Sequence, residues 1–401
     1  MSDAIRVLKG PERVRLRPAV IFGDDGIDGS KHAIGMMLCI MASECIDGYS
    51  PSLEVTVFND LSIGIKNYGR GIFFGDPQRK DDSRWQDMFC ELFARSRYAD
   101  PESSNTRYSI FAEPDITPKR EYSIEDYDDL YLCAVQYACE YMDVVSVRDN
   151  CKFSLHFEKG HNIGGLQKTA CNQPSETQIR FKLDKEVFTE IVLPQDFLPD
   201  QLKALALLNP GVRCILQIEG EEATQVFSFP QGAIDYISSH RTQGLATPIF
   251  TNTIAGMGQE RYNRPAYKAK VEVTVSFEEN NGYIKCFHNQ RELTFGGTHI
   301  HAILSKICNY IPCRTDASPS IKQLQQHLQL IVTSYSSVIT YWENGTRRSI
   351  CNTVIKDMAE DALDEGFRDF LTNNRTLIEY IFCNMKGTLL CSIFEEIHTT
   401  K

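Results

Sequence analysis

Several groups of residues in this chain have types and spacings that could do chemistry. Asn67 stands beside a tight turn at Gly69 and Gly71, in NYGRGI. Its carbonyl oxygen can accept a hydrogen bond from a ligand, or it can serve the turn itself. Glu125, Asp126, Asp128 and Asp129 form an acidic run with a DxD spacing. A carboxylate metal site needs several converging ligands, and no acidic Gly-rich partner motif precedes this run. Acidic residues also suit the dipole at a helix start, so a solvated terminus accounts for them without a metal. His299 and His301, in GGTHIHAI, lie at the start of a helix without a third ligand and read as structural. Basic residues collect at Arg6, Lys9, Arg13, Arg15 and Arg17, and again at Arg347-Arg348; alone, each group is an ordinary solvated face.

These residues need elements to position them. Leu53, Val55 and Val57 alternate with Glu54, Thr56 and Phe58, and Leu61, Ile63 and Ile65 alternate with Ser62, Gly64 and Lys66. This period of two around Asn59-Asp60 predicts a hairpin that ends at Asn67. The run 32–47 is apolar nearly all round, which predicts a helix buried on most sides. Further on, the pattern predicts a helix over 83–96, a surface loop over 97–125 and a helix over 126–143. A hairpin around Arg148-Asp149-Asn150, a loop over 159–176, a strand over 177–183, a helix over 198–208 and a strand over 214–218 follow.

The texture changes near 219–222. Beyond it, strands are expected at 224–229, 247–254, 268–277, 283–288 and 328–335. Helices are expected at 297–310, 319–327, 350–371 and 374–397. The organisation is α+β in two domains, 1–220 and 221–401.

Composition bounds the function. The chain has 401 residues, 42% hydrophobic and 24% charged, the balance of a globular protein with sizeable cores. No apolar run approaches the roughly 18 residues that span a bilayer, and the charged N-terminus has no signal core, which predicts a cytoplasmic protein with no membrane partner. The 14 cysteines include no CxxC pair and read as small buried hydrophobes. A net charge of −11 opposes free-standing DNA binding.

IRVLKGPERVRLRP at 5–18, IDGYSPSLEVTV at 46–57, NYGRGI at 67–72, VRDNCKFSLHFEKG at 147–160, ALALLNPGVR at 204–213 and FGGTHI at 295–300 form a series. Their order and spacing resemble the N-terminal half of the DNA gyrase B subunit and of topoisomerase IV's matching subunit. The resemblance covers nearly the whole chain. It implies a GHKL ATPase-like domain over 1–220, a mixed sheet backed by helices. A ribosomal S5-like transducer domain with a left-handed crossover would follow over 221–401. In that family two such units close as an ATP-driven gate on DNA. A longer N-terminal arm crosses between them, and a metal-binding Toprim domain follows. Here few residues precede Ile5, and the chain stops at Lys401, where the Toprim domain would begin.

The resemblance also assigns positions. Aligned on GYSPSLEVTV, the family's general-base Glu falls at Met36 and its magnesium-binding Asn at Ile40, four apart on one helix face. The adenine-binding Asp falls at Asn67. The phosphate-covering glycine cluster falls on EDYDDLY at 125–131, where four carboxylates and no glycine stand. Like charges at such range repel by about 1 kcal/mol per pair even in water. The transducer lysine that meets the γ-phosphate aligns with Arg347, which would pair instead with local carboxylates. Thr177 matches the threonine behind the adenine contact, Arg148 an arginine at the pocket mouth, and Glu44 with Arg70 a buried pair beside it. Those residues, with Gly69 and Gly71, can equally hold a scaffold without a ligand.

The expectation is a catalytically silent gyrase B-like protein, without a catalytic residue, metal or cofactor. Its partners would be gyrase or topoisomerase IV subunits, or a second copy of itself. DNA contact would be weak or indirect, through the face carrying Arg347 and Arg348. The alternative is a divergent type II topoisomerase subunit that binds and hydrolyses ATP with magnesium, alongside a separate cleavage chain.

Overall fold

The computed structural model describes residues 8–74, 84–92, 110–111, 128–260, 266–311, 319–337, 348–364 and 366–383. The chain divides into two compact units, Met1–Gly232 and Ala233–Lys401.

The first unit opens with two short helices, α1 (Glu12–Arg15) and α2 (Pro18–Phe22). Proline at the first position of α2 suits a helix start, and Gly23 ends it at φ +82. Helix α3 (Ile27–Ile46) buries Ala33, Met37, Met41 and Cys45 among others, so its all-round apolar sequence finds cover on several sides. Strands β1 (Ser52–Val57) and β2 (Ile63–Asn67) pair antiparallel with Leu53 opposite Asn67. The Asp60 carboxylate holds their turn by accepting from the Ser62 N–H and hydroxyl.

Helices α4 (Arg84–Cys90) and α5 (Asp128–Tyr137) follow. Then come β3 (Cys139–Arg148), β4 (Cys151–Glu158), β5 (His161–Ala170) and β6 (Glu176–Leu183). Helix α6 (Pro194–Leu208), β7 (Arg213–Ile218) and β8 (Thr224–Phe227) complete the unit. The eight strands form one sheet in the order β5-β4-β3-β6-β2-β1-β7-β8. It is mixed, because β1 and β7 run parallel while the other pairs are antiparallel. Leu53, Val55, Ile63, Ile65, Ile179, Phe181, Met142 and Val144 point to the buried face. Helix α3 packs on β1 and β2, and α5 packs on α3.

The second unit contains α7 (Ala233–Ser239), β9 (Phe250–Gly258), β10 (Tyr267–Phe277), β11 (Tyr283–His288) and β12 (Arg291–Glu292). Then follow α8 (Thr298–Tyr310), α9 (Ile321–His327) and β13 (Leu328–Ser336). Helices α10 (Thr353–Asp364), α11 (Phe367–Asn373) and α12 (Arg375–Cys383) close the described part. The sheet order is β12-β11-β13-β10-β9. Strand β11 runs parallel to β13, so β12, α8 and α9 make the crossover that a parallel pair needs. Val271, Val273 and Val275 of β10 join Ile303 and Ile307 of α8 and Ile355 and Ala359 of α10 in one core.

The structure corrects the sequence reading in places. The expected helix over 126–143 ends at Tyr137, and residues from Cys139 belong to β3. The alternation of Met142, Val144 and Ser146 toward the core overrides the helical pattern there. The expected loop over 159–176 contains β5, a sheet edge exposed on both faces that carries no hydrophobic period to read. The expected helix over 350–371 breaks at Gly366, which takes φ +76 and separates α10 from α11. The boundary expected near 220 falls at Gly232, because β8 pairs with β7 and stays with the first sheet. Most of the loop expected over 97–125 lies outside the described residues.

Candidate functional site

The β1–β2 hairpin delivers Asn67 to the end of α3. Its side chain is fully buried and both of its polar ends are engaged locally. The amide nitrogen donates to the Met41 carbonyl at 2.9 Å, and the amide oxygen accepts from the Gly69 N–H at 3.2 Å. The local turn hydrogen bond that the sequence allows this residue is formed. Thr177 stands opposite Asn67 across β2 and β6, and Ser146 stands opposite Thr177 across β6 and β3. The Ser146 and Thr177 hydroxyls lie 3.1 Å apart, and Ser146 accepts the Ile72 N–H at 2.7 Å. Ser146 therefore ties the glycine turn to the sheet. Nothing in its sequence context singles it out.

Glu44 and Arg70 form the expected pair. Glu44 is 0% exposed; its Oε1 accepts from Arg70 Nη2 at 2.7 Å and its Oε2 from the Arg70 backbone N–H at 2.7 Å. The guanidinium also lies over the Tyr49 ring, 3.8 Å from its centroid. Burial works against the Arg70 charge, but the Glu44 carboxylate outweighs it and holds the guanidinium protonated above its ordinary range. Both glycines have a packing reason. A Cβ at Gly69 would stand 2.7 Å from Glu44 Cβ. Gly71 takes φ +78, and a Cβ there would run into the Val147 carbonyl.

Met36 and Ile40 lie one turn apart on α3, 2% and 0% exposed. A thioether and an alkyl chain neither take a proton from water nor ligate a hard cation. The nearest acid along the helix, Glu44, is committed to Arg70. Burial pushes the Cys45 thiol up to about 11, so it stays protonated and is a poor nucleophile at neutral pH.

Beyond the glycine turn, Ile72 and Phe74 are buried, and the Phe73 N–H donates to the Ile110 carbonyl at 2.9 Å. Arg148, at the end of β3, donates through Nη1 to the Phe111 carbonyl at 2.8 Å and to the Gly71 carbonyl at 3.3 Å. Ile110 and Phe111 are themselves buried. A pocket of about 340 Å³ is lined by Ile34, Ile63, Phe181, Lys185, Phe188 and Pro194 among others, and not by Met36, Ile40 or Asn67.

The other sequence candidates separate. Glu125, Asp126 and Arg347 lie outside the described residues, while Asp128 and Asp129 open α5. His299 turns inward, its Nε2 3.0 Å from the Cys286 sulfur, while His301 is exposed, so the two do not converge. Arg15 is no solvated surface charge. It pairs with the Asp184 carboxylate at 2.5 Å and donates to the Tyr137 and Cys139 carbonyls, pinning α1 to the α5–β3 junction. Among the described residues, no group of three His, Cys, Asp or Glu side chains could hold a metal ion. No helix there is long and apolar enough to cross a membrane.

No protein-family model matches the chain. It is 23% identical to the DNA gyrase B subunit of Thermotoga maritima over 401 aligned residues, covering 96% of this chain and 59% of that protein. It is 22% identical to the type 2 topoisomerase B subunit of Aquifex aeolicus, covering 95% and 46%. The chain thus spans about half the length of the curated relatives it matches. Among solved structures, the 43K ATPase domain of Thermus thermophilus gyrase B, in complex with an aminocoumarin, superposes with a TM-score of 0.66 at 18% identity, over 99% of each chain. The gyrase B protein from Myxococcus xanthus gives 0.64 at 15% identity, over 92% of this chain and 99% of that one. The fold is that of the solved gyrase B ATPase domains, and the chain is similar in sequence to the B subunits of gyrase and type 2 topoisomerase.

Proposed function

We propose that this protein is a catalytically silent relative of the gyrase B ATPase and transducer unit, acting as a binding or regulatory partner in a type II topoisomerase-related assembly. The observation that carries the reading is the buried apolar pair Met36 and Ile40 on the face of α3 where the resemblance places a water-activating carboxylate and a magnesium ligand. Asn67 supports it, because its amide already donates to the Met41 carbonyl and accepts from the Gly69 N–H. These residues do not fit a magnesium nucleotide, so no hydrolytic step is assigned to them. A fold alone does not confer its relatives' chemistry. The residues that persist, Glu44, Arg70, Gly69, Gly71 and Thr177, have structural partners of their own. The partners proposed are gyrase or topoisomerase IV subunits, or a second copy of this chain, reached through protein surfaces and not through a nucleotide-driven gate.

Titration calorimetry of the whole chain with Mg-ATP, paired with a coupled ATPase assay, tests the reading. No heat of binding at micromolar nucleotide and no turnover are expected. Micromolar binding, or turnover that Asn67→Ala abolishes, sinks it and favours the ATP-hydrolysing alternative, which rests on whole-chain similarity to gyrase B subunits. The double substitution Met36→Glu/Ile40→Asn is expected to give no turnover, because Asn67 and the acidic run at 125–129 remain. Size-exclusion with light scattering, on the chain alone and mixed with purified gyrase subunits, separates self-association from partner binding.

A further inference from the structure

The cavity of about 340 Å³ opens between α3, strands β2 and β6, and the segment that joins β6 to α6. Its lining residues all belong to the first unit. Ile34, Ile63, Phe181 and Phe188 give it apolar walls, each at most 2% exposed. The joining segment is tied down from the other side. The Thr189 N–H and hydroxyl both donate to the Asp25 carbonyl, at 2.7 and 3.0 Å, and the Val192 N–H donates to the Ser30 hydroxyl at 3.0 Å. The Phe188 ring packs on Phe22 with centroids 5.4 Å apart. These ties fix the outer wall independently of the sheet that forms the floor.

The rim is unusual in two ways. Leu61 and Leu193 line the cavity and are 43% and 44% exposed. Leu61 also sits in the β1–β2 turn at φ +65, a left-handed backbone that asparagine or glycine takes more easily. A leucine there is costly both in backbone strain and in exposed apolar surface. Lys185 lines the same rim, is exposed, and meets no carboxylate among the described residues. The other lysine of the lining, Lys182, pairs with Glu140 at 3.1 Å, and Glu190 is the one acid. A lysine can lay its methylene stem along apolar wall and hold its ammonium at the mouth.

We propose that this cavity binds a small apolar monocarboxylate of the medium-chain fatty-acid class. The chain lies among Ile34, Phe181 and Phe188, the carboxylate stays at the rim beside Lys185, and Leu61 and Leu193 cover the exposed edge of the chain. The volume falls in the range of roughly 300–1,000 Å³ that holds small organic ligands. Met36, Ile40 and Asn67 do not line the cavity, so the site stands or falls apart from the question of nucleotide binding.

Titration calorimetry of the full chain with decanoate, kept below its micelle concentration, tests the site. Saturable one-to-one binding with a Kd of about 0.1 mM is expected for a ligand of that size. Octanoate, two methylenes shorter, should bind about tenfold more weakly. Lys185→Met should weaken decanoate about fivefold and leave decanol unchanged. Leu61→Asn should weaken decanoate about threefold or more while Tm stays level or rises, since asparagine accepts a left-handed backbone. Ile191→Trp, which fills the cavity from the joining segment, should abolish binding. Absence of saturable decanoate binding, an unchanged Kd in Lys185→Met, or decylamine binding as tightly as decanoate overturns the proposal. Binding that survives Ile191→Trp places the ligand elsewhere and also overturns it. If Ile191→Trp does not fold, Lys185→Met and Leu61→Asn decide.

Discussion

Replacing Arg70 by methionine isolates what the Glu44–Arg70 pair does. In the folded protein Glu44 is fully buried and takes three kinds of donor from one residue: Nη2 at 2.7 Å, Nε at 3.2 Å and the backbone N–H at 2.7 Å. Methionine keeps much of the side chain's length and the backbone donor but removes the charge. Breaking a buried ion pair from one side costs about 3–5 kcal/mol, since the remaining charge stays in a poor solvent. The retained N–H bond places the expectation near the lower end, and loss of the stacking on Tyr49 adds about 0.5–1 kcal/mol. A destabilisation of about 3–4 kcal/mol follows.

Urea unfolding followed by circular dichroism, extrapolated linearly to water, measures it. Glu44→Gln/Arg70→Met removes both charges and leaves an acceptor for the Arg70 N–H, so it should recover at least half of the loss. All of this is expected without nucleotide. A loss below about 1 kcal/mol, or a double variant no more stable than the single one, would refute the scaffold role.

Two further outcomes are expected. Asn67→Asp sets a carboxylate against the Met41 carbonyl in a site with no exposure, and should cost about 2–4 kcal/mol without creating Mg-ATP binding; a micromolar Kd by calorimetry would show that one residue separates the cleft from a working site. The units should respond oppositely to pH. In the second, burial, with His299 nearby, pushes His288 down to about 3, and burial, with His301 nearby, pushes His299 down to about 4. Both favour the folded state above pH 6.5, and each takes away up to about 1.4 kcal/mol per pH unit as pH falls from there toward 4. In the first, the Asp143 carboxylate, bonded to His156 at 2.7 Å, raises that imidazole's pKa. Its contribution is complete below pH 6.5 and lost as pH rises through the raised value. Exchange of amides in β3 and β4 against those in β11 and β13, between pH 4 and 8, checks both signs.

The parts of the fold that were legible have one face in a core. The β1–β2 hairpin announces itself because Leu53, Val55, Ile63 and Ile65 are all buried and alternate with half-exposed or small residues. Strand β5 carries no such record, being exposed on both faces and interrupted by Gly164 and Gly165 at positive φ. The Glu44–Arg70 pair entered through the resemblance, since nothing in their spacing predicts contact. Arg15 and Asp184 were invisible for the same physical reason: they meet across 169 residues of chain, and local spacing holds no trace of the contact. In the second unit the buried Glu278 takes hydrogen bonds from Thr242, Asn281 and Gln329, neutral residues that no charge pattern flags.

The positions whose residue types match those the resemblance implies, and the positions whose types do not, differ in what they carry. At Gly69 and Gly71 a side chain collides with Glu44 or with the β3 backbone whether or not a ligand is present. At Glu44 and Arg70 the loss of either partner strands the other. Positions 36 and 40 carry no such constraint. A carboxylate at 36 would be about as buried as Met36 is, and it would need a bound cation or a raised pKa to be tolerated there. An apolar side chain at each place adds about 1.5–3 kcal/mol of burial instead. Under the proposed silent reading, packing favours apolar residues on that face of α3, while the glycine turn and its ion pair are fixed by contacts within the fold. With the positions assigned as the resemblance implies, a nucleotide site would pull against stability at 36 and 40 and along with it at 44, 69, 70 and 71, and the residue types in this chain fit stability at all six.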